Sequence, residues 1–441
     1  MFFRLGPLAV AALLCLFARP LPAQTAGGAP AKPAVKGPSD TAFYRDYVLL
    51  DREKQEEADR DKLRAERKGR VYSAEDEKPS RKLTFDVTGV VRPRSKDDFA
   101  ALWHLPPKRQ WWTGNCWCFS ATSLMESEIH RVHGLTVKLS EPFTVYWEFV
   151  EKAREFVRTK GKSEFGEGSQ SAALILRWKQ YGIVRETDYT GLVKGAVVFD
   201  QGPLMEDLKG YLACVKSSEM WDEDLVTGSV RLILDRHLGR PPEKIEVGGR
   251  SLTPPEYLRD VLRLDLDAYV EFMSFLYEPF WAKGEYKVPD NYWHGKEYHN
   301  VPLDAWYDAL RGAVKKGFTV CIGGDVSEPG YIADHDTAVV PPFDIPGDRI
   351  DQSAREYRFD AGCSTDDHGI HVVGHTELDG HDWYLIKDSS RSAQRGLPGY
   401  YFYRDDYIRL KMLTFMVHRD AVGDLLARFA RESAAAAAPA K

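Results

Sequence analysis

The sequence predicts an α+β fold in which a helical subdomain, with a central cysteine-bearing helix, packs on a small antiparallel β subdomain. Three observations predict it. Helical spacing dominates the first part of the body, over 116–132, roughly 142–158 and 169–182. Short strand patterns dominate the last part: Phe318–Ile322, Ile370–Gly374, Trp383–Lys387 and Tyr400–Tyr403. Helices first and strands later place a cleft between two unlike halves. A cysteine opens the first helix, and a histidine-rich strand lies in the second half.

In chain order, Arg4 precedes an apolar run from Leu8 to Ala18, closed by Pro20, Pro22 and Ala23. That is the form of a secretory signal, too short to span a bilayer, so 1–23 is expected to be removed and the protein exported, periplasmic or secreted. Leu14 before Cys15 is bulky where a lipoprotein signal needs a small residue. Residues 24–81 read as a linker and then a charged helical segment with sparse apolar positions such as Phe43, Tyr47 and Leu63. A compact body spans 82–422, starting with the extended stretch Leu83–Val91. Its part 200–315 reads as a helical insertion, broken at Pro241–Pro242 and Pro254–Pro255. An Ala-rich tail, 423–441, closes the chain and is expected to fray.

The 441 residues are 43% hydrophobic, enough for a large core. The formal charge is -6, or -8 once Arg4 and Arg19 leave with the leader, and Lys and Arg are interleaved with acids throughout. No basic stripe offers itself to nucleic acid, and no later stretch is apolar enough for stable membrane insertion. Five cysteines remain after the leader, and an odd number in an oxidising compartment leaves at least one thiol unpaired.

That thiol has a setting. Gln110 precedes Cys116 by six positions, Thr113-Gly114-Asn115 supplies a turn and capping residues, and Trp117, Ala121, Leu124 and Met125 then fall on one helical face. A helix N-terminus favours a thiolate through its dipole and free N–H groups. The Gln110 amide and the Cys116 N–H can aim at one point, forming an oxyanion hole. Two bland readings compete: a buried aromatic turn with an incidental cysteine, and a Cys116/Cys118 redox or metal pair without further ligands.

A cysteine nucleophile needs an imidazole, and the candidates lie in Thr365–His375, followed by a turn signal at Asp379-Gly380 and by Trp383–Asp388. This reads as a hairpin. A midpoint at Leu378 sets His368 across from Asp388; a tight Asp379-Gly380 turn sets His371 there instead. Spacing alone leaves both open. A metal cluster of His368, His371 and His375 is disfavoured because regular alternation puts His368 on the face opposite the other two. His335 reads as a loop histidine. No metal and no cofactor is expected.

With these residues in place the chain resembles papain-like cysteine peptidases, within them the bleomycin hydrolase/aminopeptidase C branch. The pattern of Gln, five residues and Cys-Trp is met by Gln110, Cys116 and Trp117. Leu238-Gly-Arg-Pro-Pro242 with Thr253-Pro254, Asn300-Val-Pro302 and Gly323-Gly-Asp-Val326 are similar to branch motifs, and Asp367-His368 through Gly374 to its histidine strand. The resemblance covers roughly 95–420. It implies a papain-like fold, peptide substrates cleaved through an acyl-thioester, and Cys116, His368, Asp388 and Gln110 as catalytic residues. It also implies substrate contact at Gly166, Gly168 and Ser169 with Trp117 beside them, amino-terminal trimming and a homo-hexamer. Three departures stand out. Asp388-Ser389-Ser390 replaces the family's Asn-Ser-Trp, export replaces the cytosol, and about twenty residues follow Asp420 where the family has a short tail in the cleft. The first of these departures, Asp388 with the missing Trp, feeds the alternative of a catalytically silent relative that binds peptides or a protein partner.

Overall fold

The computed structural model describes residues 43–47, 80–84, 86–193 and 195–437. The expected leader and linker lie outside them. Of the charged segment only Phe43–Tyr47 is described: it forms a strand (β1) that pairs antiparallel with Ser80–Thr84 (β2), and the rest of that segment lies outside the described residues. The extended stretch Leu83–Val91 is a strand only to Thr84; beyond it Val87 and Val90 anchor a turn in the core.

The helical half is built on Cys116–His133 (α1). From Trp117 to Ile129 every residue of α1 is buried, so the helix is an interior rod and not the one-sided amphipathic helix its spacing predicts. Two of its buried acids are paired: Glu126 accepts from Lys138 Nζ at 2.8 Å, and Glu128 accepts twice from Arg131. Gly134 ends it at φ 66°, the left-handed conformation that favours glycine, while His130, Arg131 and His133 face the negative helix end. Glu141–Arg158 (α2), capped by Ser140, and Ser171–Tyr181 (α3) pack on α1 through Phe143, Tyr146, Leu174 and Trp178.

The middle segment is helical only at its ends. Gly202–Ser217 (α4) and Glu223–Leu238 (α5) join the α1–α3 core through Leu208, Val230 and Leu234. Between α5 and Leu303–Lys315 (α6) come strands: the separate hairpin Ile245–Val247 (β4) and Arg250–Leu252 (β5), then Tyr269–Met273 (β6), Ala282–Gly284 (β7) and Tyr298–Asn300 (β8). This corrects the all-helical expectation for 200–315: three- to five-residue strands are too short to carry a periodic signal, and the sheet around them supplies their hydrogen bonds.

Those strands extend a sheet larger than the small subdomain expected. With Ala100–Ala101 (β3), Val320–Gly324 (β9), Tyr331–Ile332 (β10), Thr337–Ala338 (β11), His368–Leu378 (β12), His381–Lys387 (β13), Tyr400–Arg404 (β14) and Met412–His418 (β15), its order is β10-β11-β14-β13-β12-β9-β15-β6-β8-β7, and β3 also pairs with β12. Pairing is antiparallel except at β11–β14 and β6–β8. Trp306, Tyr307 and Leu310 of α6 cover one face, and α1 lies against β12 on the other. The tail continues as the helix Gly423–Ala437 (α7), whose Phe429 ring meets His299 edge-on at 4.7 Å. No described helix is long and apolar enough to cross a membrane.

Candidate active site

Cys116 begins α1 and is partly exposed while the residues after it are buried. Asn115 occupies the cap position, yet its side chain makes no bond to the first turn. Its carbonyl accepts from Cys118 N and Phe119 N at 2.9 and 3.1 Å. Among the described residues nothing accepts from the Cys116 N–H, so the first turn keeps a donor facing the thiol.

Gln110 is pinned from both halves. Its backbone N–H donates to Ser389 O at 2.9 Å, its Oε1 accepts from Ser389 Oγ at 2.7 Å, and its Nε2 donates to Thr113 O at 2.7 Å. One amide hydrogen is therefore committed, which fixes the plane of the other. Trp111 follows at φ 56°, a strained conformation for a tryptophan that costs of order 1 kcal/mol and clusters at functional sites.

His368 comes from the first residue of β12. Its Nε2 lies 2.9 Å from Asp388 Oδ1, and the same ring hydrogen-bonds the Cys116 thiol, which leaves Nδ1 for the sulfur. Burial opposes a charged imidazole here, but the Asp388 charge and hydrogen bond, helped by Cys116, outweigh it and hold His368 well above the usual histidine range. Burial likewise pushes Asp388 upward, and His368 with the Ser390 N–H more than reverses it, leaving Asp388 below the usual carboxylate range. Both shifts favour an imidazolium–carboxylate pair.

The register that delivers this was open on spacing. The turn is the tight one, Asp379 at φ 53° and Gly380 at φ 76°, a two-residue hairpin with Leu378 opposite His381. A regular ladder from that turn would set His371 against Asp388. A bulge between Val372 and Gly374 shifts the pairing by one, so His371 faces Lys387. Asp388, just beyond the end of β13, turns back to His368. The bulge also corrects the expected faces: His371 and His375, four apart, part company. His371 bonds Ser123 of α1 at 2.8 Å, whereas His375 bonds Asp382 at 2.6 Å on the α6 side, where Tyr307 also donates to Asp382. Glu377 stands near His375 and Asp382, but Lys315 and Arg311 neutralise these acids.

The predicted substrate contacts divide. Gly166 and Gly168 border the site, their carbonyls accepting from the buried Lys152 ammonium. Ser169 is 4% exposed and its hydroxyl is committed to Glu148 at 2.9 Å; Trp117 is 3% exposed and its Nε1 donates to Glu167 O at 3.1 Å. Both side chains serve as struts, each turned into the interior to satisfy a buried polar group. Glu167, which the sequence did not single out, holds Gly114 N through Oε1 at 3.2 Å. The missing shielding Trp has a stand-in from another strand. Tyr331 of β10 points its hydroxyl at Asp388 Oδ2, 3.3 Å away, and stacks on Tyr401, and Asp388 is only 2% exposed.

Cys118 is fully buried and its thiol is pushed far upward by burial; Cys321 is pushed up to about 11 by the same cause, and Cys214 and Cys363 are exposed. No disulfide joins the described cysteines. A Cys116/Cys118 pair has no support, since Cys118 donates to Glu141 O deep behind the helix.

Among solved structures, that of PepW from Lactobacillus rhamnosis HN001 superimposes with TM-score 0.60 at 18% identity, covering 77% of this chain and 85% of that one. The fold is papain-like. A structure addressing the mite allergens Blo t 1 and Der p 1 matches with TM-score 0.35 at 12% identity over 76% of this chain and 74% of that one. No family model and no curated protein sequence matches the chain.

Proposed function

We propose that this protein is a cysteine peptidase with Cys116 as nucleophile, His368 as general base and acid, Asp388 as its orienting partner and Gln110 as an oxyanion donor. One observation carries the reading: a single imidazole bonded at one nitrogen to a buried carboxylate and at the other to a thiol at a helix N-terminus. In the first step the Cys116 sulfur bonds to the scissile carbonyl carbon, and the developing oxyanion is held by the Cys116 N–H and the Gln110 amide. The C–N bond then breaks, the imidazolium proton passes to the leaving amine, and a thioester remains. His368 next takes a proton from water as it attacks that carbon. Release of the acid fragment restores the thiolate and the imidazolium.

Within that reading we place the protein with exported peptidases that trim peptides from the amino end and assemble as homo-oligomers. The apolar run Leu8–Ala18 supports export, and the branch motifs support the rest. The reactive-thiol test comes first: an irreversible thiol-directed epoxide should label Cys116, with Cys116→Ala unlabelled and inactive. Absence of selective labelling, with no peptide turnover, sinks the peptidase in favour of a silent relative. A mixed peptide library with mass-spectrometric mapping of cuts then separates terminal from internal cleavage.

A further inference from the structure

The turn that leads into Cys116 is held from outside by an acid that the proposed chemistry does not use. Gln110 and Thr113 close on each other: Gln110 Nε2 donates to Thr113 O at 2.7 Å, and Thr113 Oγ1 donates to Gln110 O at 2.9 Å. Beyond Thr113 the ordinary local support is missing. The Asn115 side chain makes no cap bond, and its buried Oδ1 has no partner among the described residues. Glu167 supplies support instead. Its Oε1 accepts from Gly114 N at 3.2 Å, and its backbone carbonyl accepts from Trp117 Nε1 at 3.1 Å. One residue therefore grips the chain on both sides of Cys116. The fit is close, for a Cβ on Gly114 would fall 2.9 Å from Glu167 Cβ.

Glu167 is itself braced from behind. Lys152 of α2, 1% exposed, donates to the carbonyl of Gly166 at 3.0 Å and to that of Gly168, the residues flanking Glu167. Gly168 is hemmed in further, since a Cβ there would fall 2.3 Å from Asp290 Oδ1. An acceptor mounted so firmly fixes where its donor sits. Both oxyanion donors hang on the turn it holds: the Cys116 N–H ends that turn, and Thr113 O at its start sets the plane of the Gln110 amide. Donors of this kind act only when aimed at the developing charge, and misplacing a reacting group by about 1 Å costs on the order of 10²-fold in rate.

We propose that Glu167 is a positioning residue: its side-chain oxygen, through the Gly114 N–H, holds the Thr113–Cys116 turn so that the Cys116 N–H and the Gln110 amide converge on the scissile carbonyl oxygen. It acts through the turn and not on a reacting atom. The proposal deepens the peptidase reading and rests on it for the oxyanion. It also makes a sharp demand on the side chain: reach matters and charge does not.

Two full-length variants separate reach from charge. Glu167→Gln keeps an acceptor oxygen at the same reach and drops the charge; Glu167→Asp keeps the charge and stops one methylene short. Both retain the backbone carbonyl that Trp117 uses. In steady-state peptide hydrolysis Glu167→Gln should stay within about threefold of wild type, whereas Glu167→Asp should lose about tenfold or more in kcat with KM within about threefold. Iodoacetamide alkylates a thiolate without forming an oxyanion, so it should modify Cys116 in both variants at close to the wild-type rate. Hydrogen exchange read by mass spectrometry needs no turnover: the Gly114 amide should exchange about tenfold faster in Glu167→Asp than in wild type or Glu167→Gln. A Glu167→Asp protein with wild-type kcat, a Glu167→Gln protein as impaired as Glu167→Asp, or alkylation that falls in step with turnover overturns the proposal while the peptidase reading stands. If wild type hydrolyses no peptide, the peptidase reading falls by itself, and unchanged exchange in Glu167→Asp then overturns the hold on the turn as well.

Discussion

Cys116 and His368 meet across walls that are built differently. On the helical wall the reactive group is set by local sequence: the thiol heads α1 because a Gly-Asn turn ends where an apolar run begins, and its own N–H is left without an acceptor among the described residues. On the strand wall the reactive group is set by register: His368 reaches Asp388 only because a bulge between Val372 and Gly374 moves the ladder by one residue. A helix start tolerates neighbouring change, while a register slip of one flips every side chain. The strand wall is therefore where small changes should have the largest consequences for chemistry.

The most severe way to break the comparison is to remove one member from each wall. Cys116→Ala and His368→Ala should each lower kcat/KM by about 10³-fold or more, while the double variant loses little beyond either single one, because the two act as one unit. Additive losses in steady-state assays would mean that the pair is not coupled. Next comes Gln110→Ala, which removes the donor pinned between the walls and should lower kcat by about 10²-fold with KM little changed. A change confined to KM would make Gln110 a binding residue only.

A pH profile sharpens the strand wall further. Because the Asp388 charge, against burial, holds His368 above the usual range, activity should persist on the alkaline side beyond an ordinary histidine. In Asp388→Asn the neutral amide can still accept the ring N–H, but the imidazolium loses its counter-charge. The alkaline limb should move to lower pH by about 1–3 units. An unmoved limb would show that Asp388 orients the ring without tuning it. The smallest effect belongs to the neighbouring histidine. Burial and the nearby Lys387 keep His371 neutral, and its bond goes to Ser123. His371→Ala should leave turnover within about threefold while lowering unfolding free energy by about 1–3 kcal/mol, read by denaturant titration. A collapse of turnover there would reverse the assignment of the base.

Much of the site was legible because its logic is local. The Gln110–Cys116–Trp117 spacing, the Gly134 cap and the Asp379-Gly380 turn each rest on backbone conformations that a few residues specify. The shelter over Asp388 was not legible: Tyr331, which donates to its Oδ2, comes from a distant strand, and no local pattern links the two. Nor was it legible that the Trp117 and Ser169 side chains turn inward, since nothing local says that Glu167 and Glu148 will claim their polar atoms.

The sequence by itself determined the α+β order, the helix that carries the thiol, and a hairpin holding both candidate bases, because these follow from periodicity and turn chemistry. Only the tertiary structure decided which histidine meets Asp388 and what shelters that carboxylate. Those outcomes depend on one bulged residue and on Tyr331 arriving from a distant strand. Long-range contacts of this kind leave no periodic trace in the chain.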